Sequence, residues 1–281
     1  IQASGTHQFD AVIKRSRGVA DKMSKGVQFL MKKNKIDVIM GFGKIKGKGK
    51  LEVKKTDGTV QTVEGKHIII ATGARSRQLP SLPIDGKKII GYREAMVLPE
   101  QPKSMIVVGS GAIGVEFAYF YNSMGTKITI VEFLPRIVPV EDEDISKELE
   151  KSYKKNGIDI MTSSEVVSVD TSGKGVKAKV KTAQGEVTLE ADILLSAAGV
   201  SANIEGIGLE ETGIKTDKGK IPVDKFYQTN VAGIYAIGDC APGQALAHVA
   251  SKEGIICAEN IAFQEKKYNH QPEALDYGNV P

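Results

Sequence analysis

The chain has no tryptophan and only two cysteines among its 281 residues. Cys240 and Cys257 are too few for a disulfide framework or a four-ligand zinc site, so we expect a reducing, cytoplasmic location and no bound metal. Long apolar runs are also missing, because stretches such as Ile68–Ala71 extend over only a few residues. A transmembrane helix needs about 20 apolar residues, and we therefore expect neither a membrane span nor a signal peptide.

The chain has no large excess of positive or negative charge, since it contains 38 Lys and Arg and 34 Asp and Glu residues. Lysine is concentrated in the first 55 residues, where it is interleaved with apolar residues and few aromatic side chains occur. This pattern favours a solvated helix face and a hairpin over a nucleic-acid surface. The apolar share of 41% is typical of a globular protein, and the length indicates about two domains.

Both ends of the sequence have the character of internal positions in a longer chain. The first residue is Ile1 rather than methionine, and Asn279–Pro281 carry no signal that ends a helix or a strand. We therefore expect these residues to be the central part of a longer protein.

The first hundred residues predict one helix and several short strands. Apolar spacing indicates an amphipathic helix over Ile13–Asn34. A hairpin turn is expected at Asp57–Gly58. The predicted strands are Asp37–Met40, Leu51–Lys54, Gln61–Glu64 and a fully buried Ile68–Ala71. A proline-rich connector follows and marks a candidate domain boundary.

Strands and helices then alternate in two crossover units, which predicts a parallel sheet with helices on its faces. Hairpins and two further buried strands follow before a final helix. The predicted strands are Met105–Val108, Lys127–Val131, Ile158–Met161, Asp192–Ser196 and Ile234–Ile237, the hairpins lie within Glu165–Leu189, and the helices are Ala112–Ser123, Glu143–Asn156 and Ala245–Ala262.

The segment Gly109–Gly114 carries the strongest motif, because it follows a predicted strand and begins a helix. Gly109 permits a tight turn, Gly111 permits a close approach by a pyrophosphate, and Gly114 permits close packing of helix on strand. The helix N-terminus offers free N–H groups to phosphates. Glu132, at the end of the next strand, is placed to accept hydrogen bonds from a ribose. The motif predicts dinucleotide binding, and the alternative is a set of glycines that only tighten a turn.

Three other strands end in residues that ligands often approach. Thr72-Gly73 and Ala198-Gly199 each follow a predicted strand, although either one alone is typical of any strand that leaves a sheet. Asp239 follows Gly238 at the end of a buried strand, where a carboxylate can accept bonds from a ribityl or ribose hydroxyl. Its distance from Ala245 disfavours the alternative role of a helix N-cap.

Together these residues resemble those of the flavin-dependent disulfide oxidoreductases, and within that family the lipoamide dehydrogenases. The resemblance covers essentially the whole chain and rests on Ile69–Gly73, Gly109–Glu116, Val131–Pro139, and Thr229–Asp239 with Leu246–His248. It implies an α/β fold in which a Rossmann-like NAD-binding domain is inserted into a partial FAD-binding domain, with β-hairpin insertions. The implied segments are 1–101 and 225–277 for the FAD-binding domain, 102–224 for the NAD-binding domain, and 278–281 for the start of an interface domain.

The resemblance also implies which residues contact each cofactor. Glu116 would lie near the meeting point of nicotinamide and flavin. The implied NAD contacts are Gly109, Ser110, Gly111, Ala112, Ile113, Gly114, Val115, Glu116, Glu132, Val166 and Gly199. The implied FAD contacts are Gly47, Thr72, Gly73, Ala74, Asp239, Ala245, Leu246, Ala247 and His248.

The sequence departs from the family pattern in several places. A glycine-rich flavin loop, a Cys-x-x-x-x-Cys disulfide and a C-terminal His-Glu pair belong to the family, and none of them is present here. The family's usual arginine after the third glycine motif is replaced by Val200. We therefore expect no catalytic residue in this chain and weak or absent flavin binding.

The parent protein implied by the resemblance oxidises dihydrolipoyl groups through a disulfide and FAD, with hydride transfer to NAD. Its implied partners are a nicotinamide cofactor, a second copy of itself, and the lipoyl-bearing proteins of 2-oxo acid dehydrogenase complexes. Neither nucleic acid nor membrane is expected as a partner. The alternatives are a mercuric reductase, a soluble transhydrogenase, or a stand-alone nucleotide-binding module.

Overall fold

A computed structural model describes residues 8–280, and the chain divides into two compact units. The first unit comprises Ile1–Asn34 and Ser76–Val200, and the second comprises Lys35–Arg75 and Ser201–Pro281. Residues 1–7 and 281, which the sequence assigned to the first and last predicted segments, lie outside the described residues. The chain thus changes unit at 34/35, 75/76 and 200/201, whereas the sequence placed domain changes at 101/102 and 224/225. The assignment of one cofactor to each segment remains a prediction.

The described residues form the following elements. The helices are α1 (Phe9–Lys33), α2 (Tyr92–Ala95), α3 (Ala112–Ser123), α4 (Glu143–Lys155), α5 (Leu209–Thr212) and α6 (Ala247–Gln264), with single 3-10 turns at Gly238–Cys240 and Tyr277–Asn279. The strands are β1 (Phe42–Gly47), β2 (Lys50–Lys54), β3 (Val60–Glu64), β4 (Ile68–Ile70), β5 (Ala74–Ser76), β6 (Ile89–Ile90), β7 (Ser104–Val108), β8 (Lys127–Val131), β9 (Asp159–Met161), β10 (Glu165–Asp170), β11 (Val176–Thr182), β12 (Gly185–Ala191), β13 (Ile193–Ser196), β14 (Val200–Ala202) and β15 (Ile234–Ala236).

The first unit is built on a five-stranded sheet in the order β6-β13-β7-β8-β9. Every pair of neighbouring strands in it is parallel, and α3 and α4 make the two crossovers from β7 to β8 and from β8 to β9. The α/β class and the parallel sheet predicted from the sequence are therefore confirmed. Apolar residues of the strands, such as Val107 and Ile130, are fully buried beneath the helices together with Tyr121 of α3.

A three-stranded antiparallel meander, β10-β11-β12, covers the other face of this sheet. Alternate residues of β11 are buried, and Val176, Ala178 and Val180 pack with Ile106 and Leu194 of the sheet. The hairpins predicted within Glu165–Leu189 are therefore confirmed by the antiparallel pairing of these strands.

Helix α1 begins at Phe9, earlier than the predicted Ile13, and only Phe9 is fully buried. Its ring lies 5.9 Å from that of Tyr121. The predicted apolar stripe is largely exposed instead, with Val19 at 54% and Met23 at 69% of full exposure. Amphipathic spacing predicted the helix correctly. The same spacing does not show whether other elements cover its apolar residues.

The second unit contains the antiparallel sheet β1-β2-β3 and the parallel pair β15-β4. The predicted strand at Asp37–Met40 was wrong, since that stretch has no strand structure and Met40 is 75% exposed. The observed strand, β1, lies further along the chain, because Ile45 there packs in the core and the backbone pairs with β2. The prediction that Ile68–Ala71 is fully buried was also wrong, since Ile69 is 40% exposed.

Across residues 8–280, no helix is long and apolar enough to cross a membrane.

Candidate nucleotide-binding sites

The glycine turn after β7 has the geometry that its sequence predicts. Gly109 has a φ of +96°, and its N–H donates to the Val131 carbonyl at 2.9 Å. A Cβ at Gly109 would lie 2.6 Å from the Ala197 carbonyl oxygen, and one at Gly114 would lie 2.0 Å from the Gly109 carbonyl oxygen. Any side chain at either position would therefore disrupt the turn.

Within the described residues, the backbone of Gly111 at the start of helix α3 is open to close approach. Gly111 is the N-cap of α3, and a Cβ placed on it would have no heavy atom within 4 Å. The first turn of this 12-residue helix contains no acidic residue, so its free N–H groups and positive dipole end are not neutralised by the chain itself. The open approach over Gly111 and the unpaired amides fit the pyrophosphate of a dinucleotide.

Glu132 is nearly buried, with 6% of its surface exposed. One carboxylate oxygen, Oε2, accepts from the Ser110 N–H at 2.7 Å and from the Ser110 hydroxyl at 2.6 Å. The other, Oε1, accepts from the Leu134 N–H at 2.8 Å. A carboxylate has about four lone-pair positions, so these three bonds leave about one acceptor position, on Oε1. The sequence predicted Glu132 as a ribose contact, but it did not predict that Ser110 would hold the carboxylate in place.

The basic residue of the loop after Glu132, Arg136, bonds to backbone carbonyls of the loop and not to the carboxylate. The Arg136 guanidinium donates to the Pro139 carbonyl at 3.0 Å and to the Glu141 carbonyl at 3.3 Å. Phe133, which directly follows Glu132 in the sequence, is 69% exposed.

The other predicted NAD contacts are distributed around this turn. Gly199 has a φ of +95°, and its carbonyl accepts from the Arg77 N–H at 3.0 Å, a neighbour that the sequence did not indicate. Glu116 is exposed on α3. Val166 is 6% exposed and packs in the core beneath the meander, so its side chain is not accessible to a ligand. The assignment of NAD contacts remains a prediction.

In the second unit, β4 and β15 are parallel neighbours, so both strands end at the same edge. Ile237 extends the pairing, since its N–H donates to the Ile70 carbonyl at 3.0 Å. Thr72-Gly73 follows β4 and Gly238-Asp239 follows β15, and this register brings the two predicted flavin segments together. Carboxyl ends of parallel strands are a common place for ligands to bind.

Asn203 holds the Thr72-Gly73 turn and was missed by the sequence analysis. Its backbone N–H donates to the Gly73 carbonyl at 2.9 Å, and its side-chain amide donates to the Thr72 carbonyl at 3.0 Å. Gly73 lies in the left-handed region with φ +67°. Since 130 residues separate Asn203 from Gly73, no local pattern could have indicated the contact.

Asp239 is half-buried in a 3-10 turn, and no protein donor in the described part of the chain bonds to its carboxylate. It is not a helix cap, because the N-cap of α6 is Leu246. The predicted contacts Ala245–His248 are exposed around the start of α6, whose first turn contains no acidic residue. An unpaired carboxylate near free helix amides fits a flavin nucleotide, which carries both hydroxyl donors and a polar acceptor edge.

Gly47, another predicted flavin contact, is not linked to the other predicted flavin contacts by any hydrogen bond within residues 8–280. It ends β1 with a φ of +139° after an irregularity in the pairing. No group of three or more His, Cys, Asp or Glu side chains suited to a metal ion occurs among the described residues.

Comparison with known proteins places these features in a family. The chain is 48% identical over 267 residues to a dihydrolipoyl dehydrogenase of Rhizobium etli, covering 90% of this chain and 56% of that protein. A dihydrolipoyl dehydrogenase of Zymomonas mobilis is 47% identical over 254 residues, covering 90% of this chain and 54% of that protein. The chain therefore spans just over half the length of these relatives.

Solved structures agree with the sequence comparison. LpdA of Mycobacterium tuberculosis has a TM-score of 0.84 and 30% identity, with 96% of this chain and 60% of that chain covered. The HOCl-induced flavoprotein disulfide reductase RclA of Escherichia coli has a TM-score of 0.84 and 26% identity, with 93% and 59% covered. The family described as pyridine nucleotide-disulphide oxidoreductase, whose members depend on FAD and NAD, matches residues 2–254. With this match and the two strand-end sites described above, the chain belongs to the pyridine nucleotide-disulphide oxidoreductase family.

Proposed function

We propose that the protein containing this chain is a dihydrolipoyl dehydrogenase, and that the chain forms its NAD-binding unit and part of its FAD-binding unit. Two matched relatives with this name are 48% and 47% identical to the chain. Since the chain spans just over half of their length, the reaction as a whole and its substrates belong to the proposal.

The observation that carries the proposal is that each unit contains its own strand-end site. The first has the Gly109–Gly114 turn with Glu132 beside it, and the second has Thr72-Gly73 next to Asp239. An enzyme that moves electrons between a flavin and a nicotinamide requires two such nucleotide sites.

The proposed reaction oxidises a dihydrolipoyl dithiol to its disulfide, reduces NAD with two electrons and one proton, and releases the second proton. Bound FAD and NAD supply the electron-transfer chemistry. In the first unit, the α3 amides bind the NAD pyrophosphate and Glu132 orients a ribose. In the second, Asp239 and the start of α6 bind and orient the flavin.

The thiol step requires groups other than the two cysteines of this chain. Cys240 and Cys257 are both free and fully buried. Burial raises the pKa of the Cys257 thiol to about 12, which keeps it from forming the thiolate that attacks a disulfide. Neither cysteine is therefore assigned to dithiol exchange.

Location and partners complete the proposal. Two buried free thiols support a reducing, cytoplasmic location. We infer a nicotinamide cofactor, a second copy of the parent protein, and lipoyl-bearing proteins of 2-oxo acid dehydrogenase complexes as partners, on the basis of the dihydrolipoyl dehydrogenase relatives.

The test is dihydrolipoamide-dependent reduction of NAD by the full-length protein that contains these residues, measured at 340 nm. We expect turnover within the ordinary enzyme range of about 1–1,000 per second. The 281-residue chain alone, supplied with FAD, should give none, because it lacks a reactive dithiol. No turnover by the full-length protein, or mercuric-ion reduction in its place, would overturn the assignment, and turnover by the chain alone would contradict the account of its cysteines.

A further inference from the structure

Glu253 is a buried carboxylate that none of the predicted contacts includes. It lies on α6, about two turns from the helix start, and is 1% exposed. Glutamate is rarely buried to this degree without a partner. Within residues 8–280 no lysine, arginine or histidine forms an ion pair with it, so its partners are neutral hydrogen-bond donors.

The first donor is the backbone of the proposed flavin turn. The Gly238 N–H donates to Oε2 of Glu253 at 2.6 Å. Gly238 has a φ of +68°, and a Cβ there would lie 3.3 Å from that of Ala250, so the turn approaches α6 closely. The residue after Gly238 is Asp239, whose carboxylate is the proposed flavin contact.

The second donor comes from the C-terminal segment of the second unit. The Tyr277 hydroxyl donates to Oε1 of Glu253 at 2.6 Å. The Tyr277 ring lies so close to Gly243 that a Cβ on that glycine would be 3.0 Å from a ring carbon. Burial, reinforced by the bond to Glu253, raises the pKa of Tyr277 and keeps its hydroxyl protonated. Tyr277 therefore contacts both Glu253 and the loop that leads to Ala245–His248.

The other side of the turn is held by a thiol. The Cys240 Sγ–H lies 3.4 Å from the Ile70 carbonyl oxygen and 3.2 Å from that of Ile237. Asp239 thus lies between Gly238, which is held by Glu253, and Cys240, which is held by the Ile70 carbonyl at the end of β4.

We propose that Glu253 is a positioning residue for the flavin: with Tyr277, it holds the Gly238 N–H so that the Asp239 carboxylate is presented to the ligand. This inference rests on the proposed flavin contact of Asp239. Glu253 itself is buried and acts on the flavin only through the turn.

The variants Glu253→Ala and Glu253→Gln separate loss of the acceptor from loss of charge. Glutamine keeps a carbonyl for Gly238, and its amide can donate to the Tyr277 oxygen if that hydroxyl reverses its role. Alanine leaves both donors without a partner. Glu259→Ala, at a partly exposed glutamate of the same helix, is the matched control.

The first measurement is amide hydrogen exchange by NMR on the 281-residue chain without flavin. We expect Glu253→Ala to speed exchange at Gly238 at least tenfold, Glu253→Gln to stay within about threefold of the original chain, and Glu259→Ala to cause no change. Tyr277→Phe should give an intermediate increase, which provides a result even if the alanine variant does not fold. Unchanged exchange at Gly238 in both Glu253→Ala and Tyr277→Phe would overturn the inference.

The second measurement uses the full-length protein that contains these residues, with the same substitutions and with its flavin removed, and measures FAD binding by fluorescence titration. We expect Glu253→Ala to weaken FAD binding about tenfold and Glu253→Gln to restore most of it. If Asp239→Ala weakens binding and Glu253→Ala does not, the positioning role is wrong and the proposed function is unaffected. If the full-length protein binds no FAD, or Asp239→Ala changes nothing, the flavin assignment in the proposed function fails, and the exchange rates still decide whether Glu253 holds the turn.

Discussion

Glu132 should make the first unit prefer NAD over NADP, and the structure gives the expected size of that preference. The carboxylate keeps about one acceptor position, on Oε1, after its bonds to Ser110 and Leu134. A ribose 2′-hydroxyl can donate to that oxygen. A 2′-phosphate cannot donate to it and brings nearly two negative charges close to a carboxylate.

The basic residue in the loop after Glu132 does not offset this repulsion. Arg136 is the basic residue of the loop, and its guanidinium already donates to the carbonyls of Pro139 and Glu141. We therefore expect discrimination of about 2–3 kcal/mol, which corresponds to about 30- to 150-fold in affinity. Calorimetric titration of the 281-residue chain with NAD and with NADP measures it directly.

Glu132→Gln should remove most of the preference, because glutamine keeps one acceptor oxygen and carries no charge. Glu132→Ala should remove it as well, and it should also lower the free energy of unfolding by about 1–3 kcal/mol for each buried donor left unpaired. Glu141→Ala is the control, since the loop hydrogen bonds of Glu141 involve its backbone N–H and carbonyl and not its side chain. Equal affinities for the two cofactors in the original chain, or an unchanged affinity ratio in Glu132→Gln, would refute the role assigned to Glu132.

Three further outcomes follow from single contacts. The Arg75 guanidinium lowers the pKa of Glu205 to about 2, so the stabilisation from this pair is complete above the usual carboxyl pKa and is lost as pH falls toward 2. Acid titration of the unfolding free energy should therefore show a smaller decrease over this range in Arg75→Gln, and an identical decrease would contradict the pairing. Cys240 and Cys257 are fully buried, so a thiol reagent such as DTNB should label neither until the chain unfolds, and rapid labelling of the native chain would show that the burial is wrong. Tyr121→Phe should lower the unfolding free energy by about 1–2 kcal/mol in urea denaturation, because the Tyr121 hydroxyl bonds to the buried Ala95 carbonyl, and no change would show that this bond adds no stability.

Local chemistry made several features predictable from the sequence. The turn at Gly109–Gly114 could be recognised because two of its requirements are local: Gly109 has a positive φ, and a Cβ at Gly114 would meet the Gly109 carbonyl. The order of strands and helices around it could be read from apolar periodicity, because each element buries one face or one stripe. The parallel sheet then followed from the crossover connections.

Elements without a local signal were predicted poorly. The sequence predicted a strand at Asp37–Met40, whereas the observed strand β1 begins at Phe42. Both stretches contain β-forming residues, and only pairing with β2 decides between them. The amphipathic pattern predicted the α1 helix, but a periodic pattern cannot say whether anything covers its apolar residues, and most of them are exposed. Short strands such as β6 and β14 have too few residues to carry a pattern of their own.

The amino-acid sequence by itself determined the glycine turn, the parallel sheet and the identity of Glu132 and Asp239 as candidate ligand contacts, because each depends on residues close together in the chain. The tertiary structure alone decided what holds those contacts in place. Asn203 bonds the Thr72-Gly73 turn, and Glu253 bonds the Gly238 amide. In the sequence, Glu253 is one more charged residue on a helix, and its burial appears only when β15, α6 and Tyr277 pack together. Hydrogen bonds between residues distant in sequence are set by that packing, which no local pattern encodes.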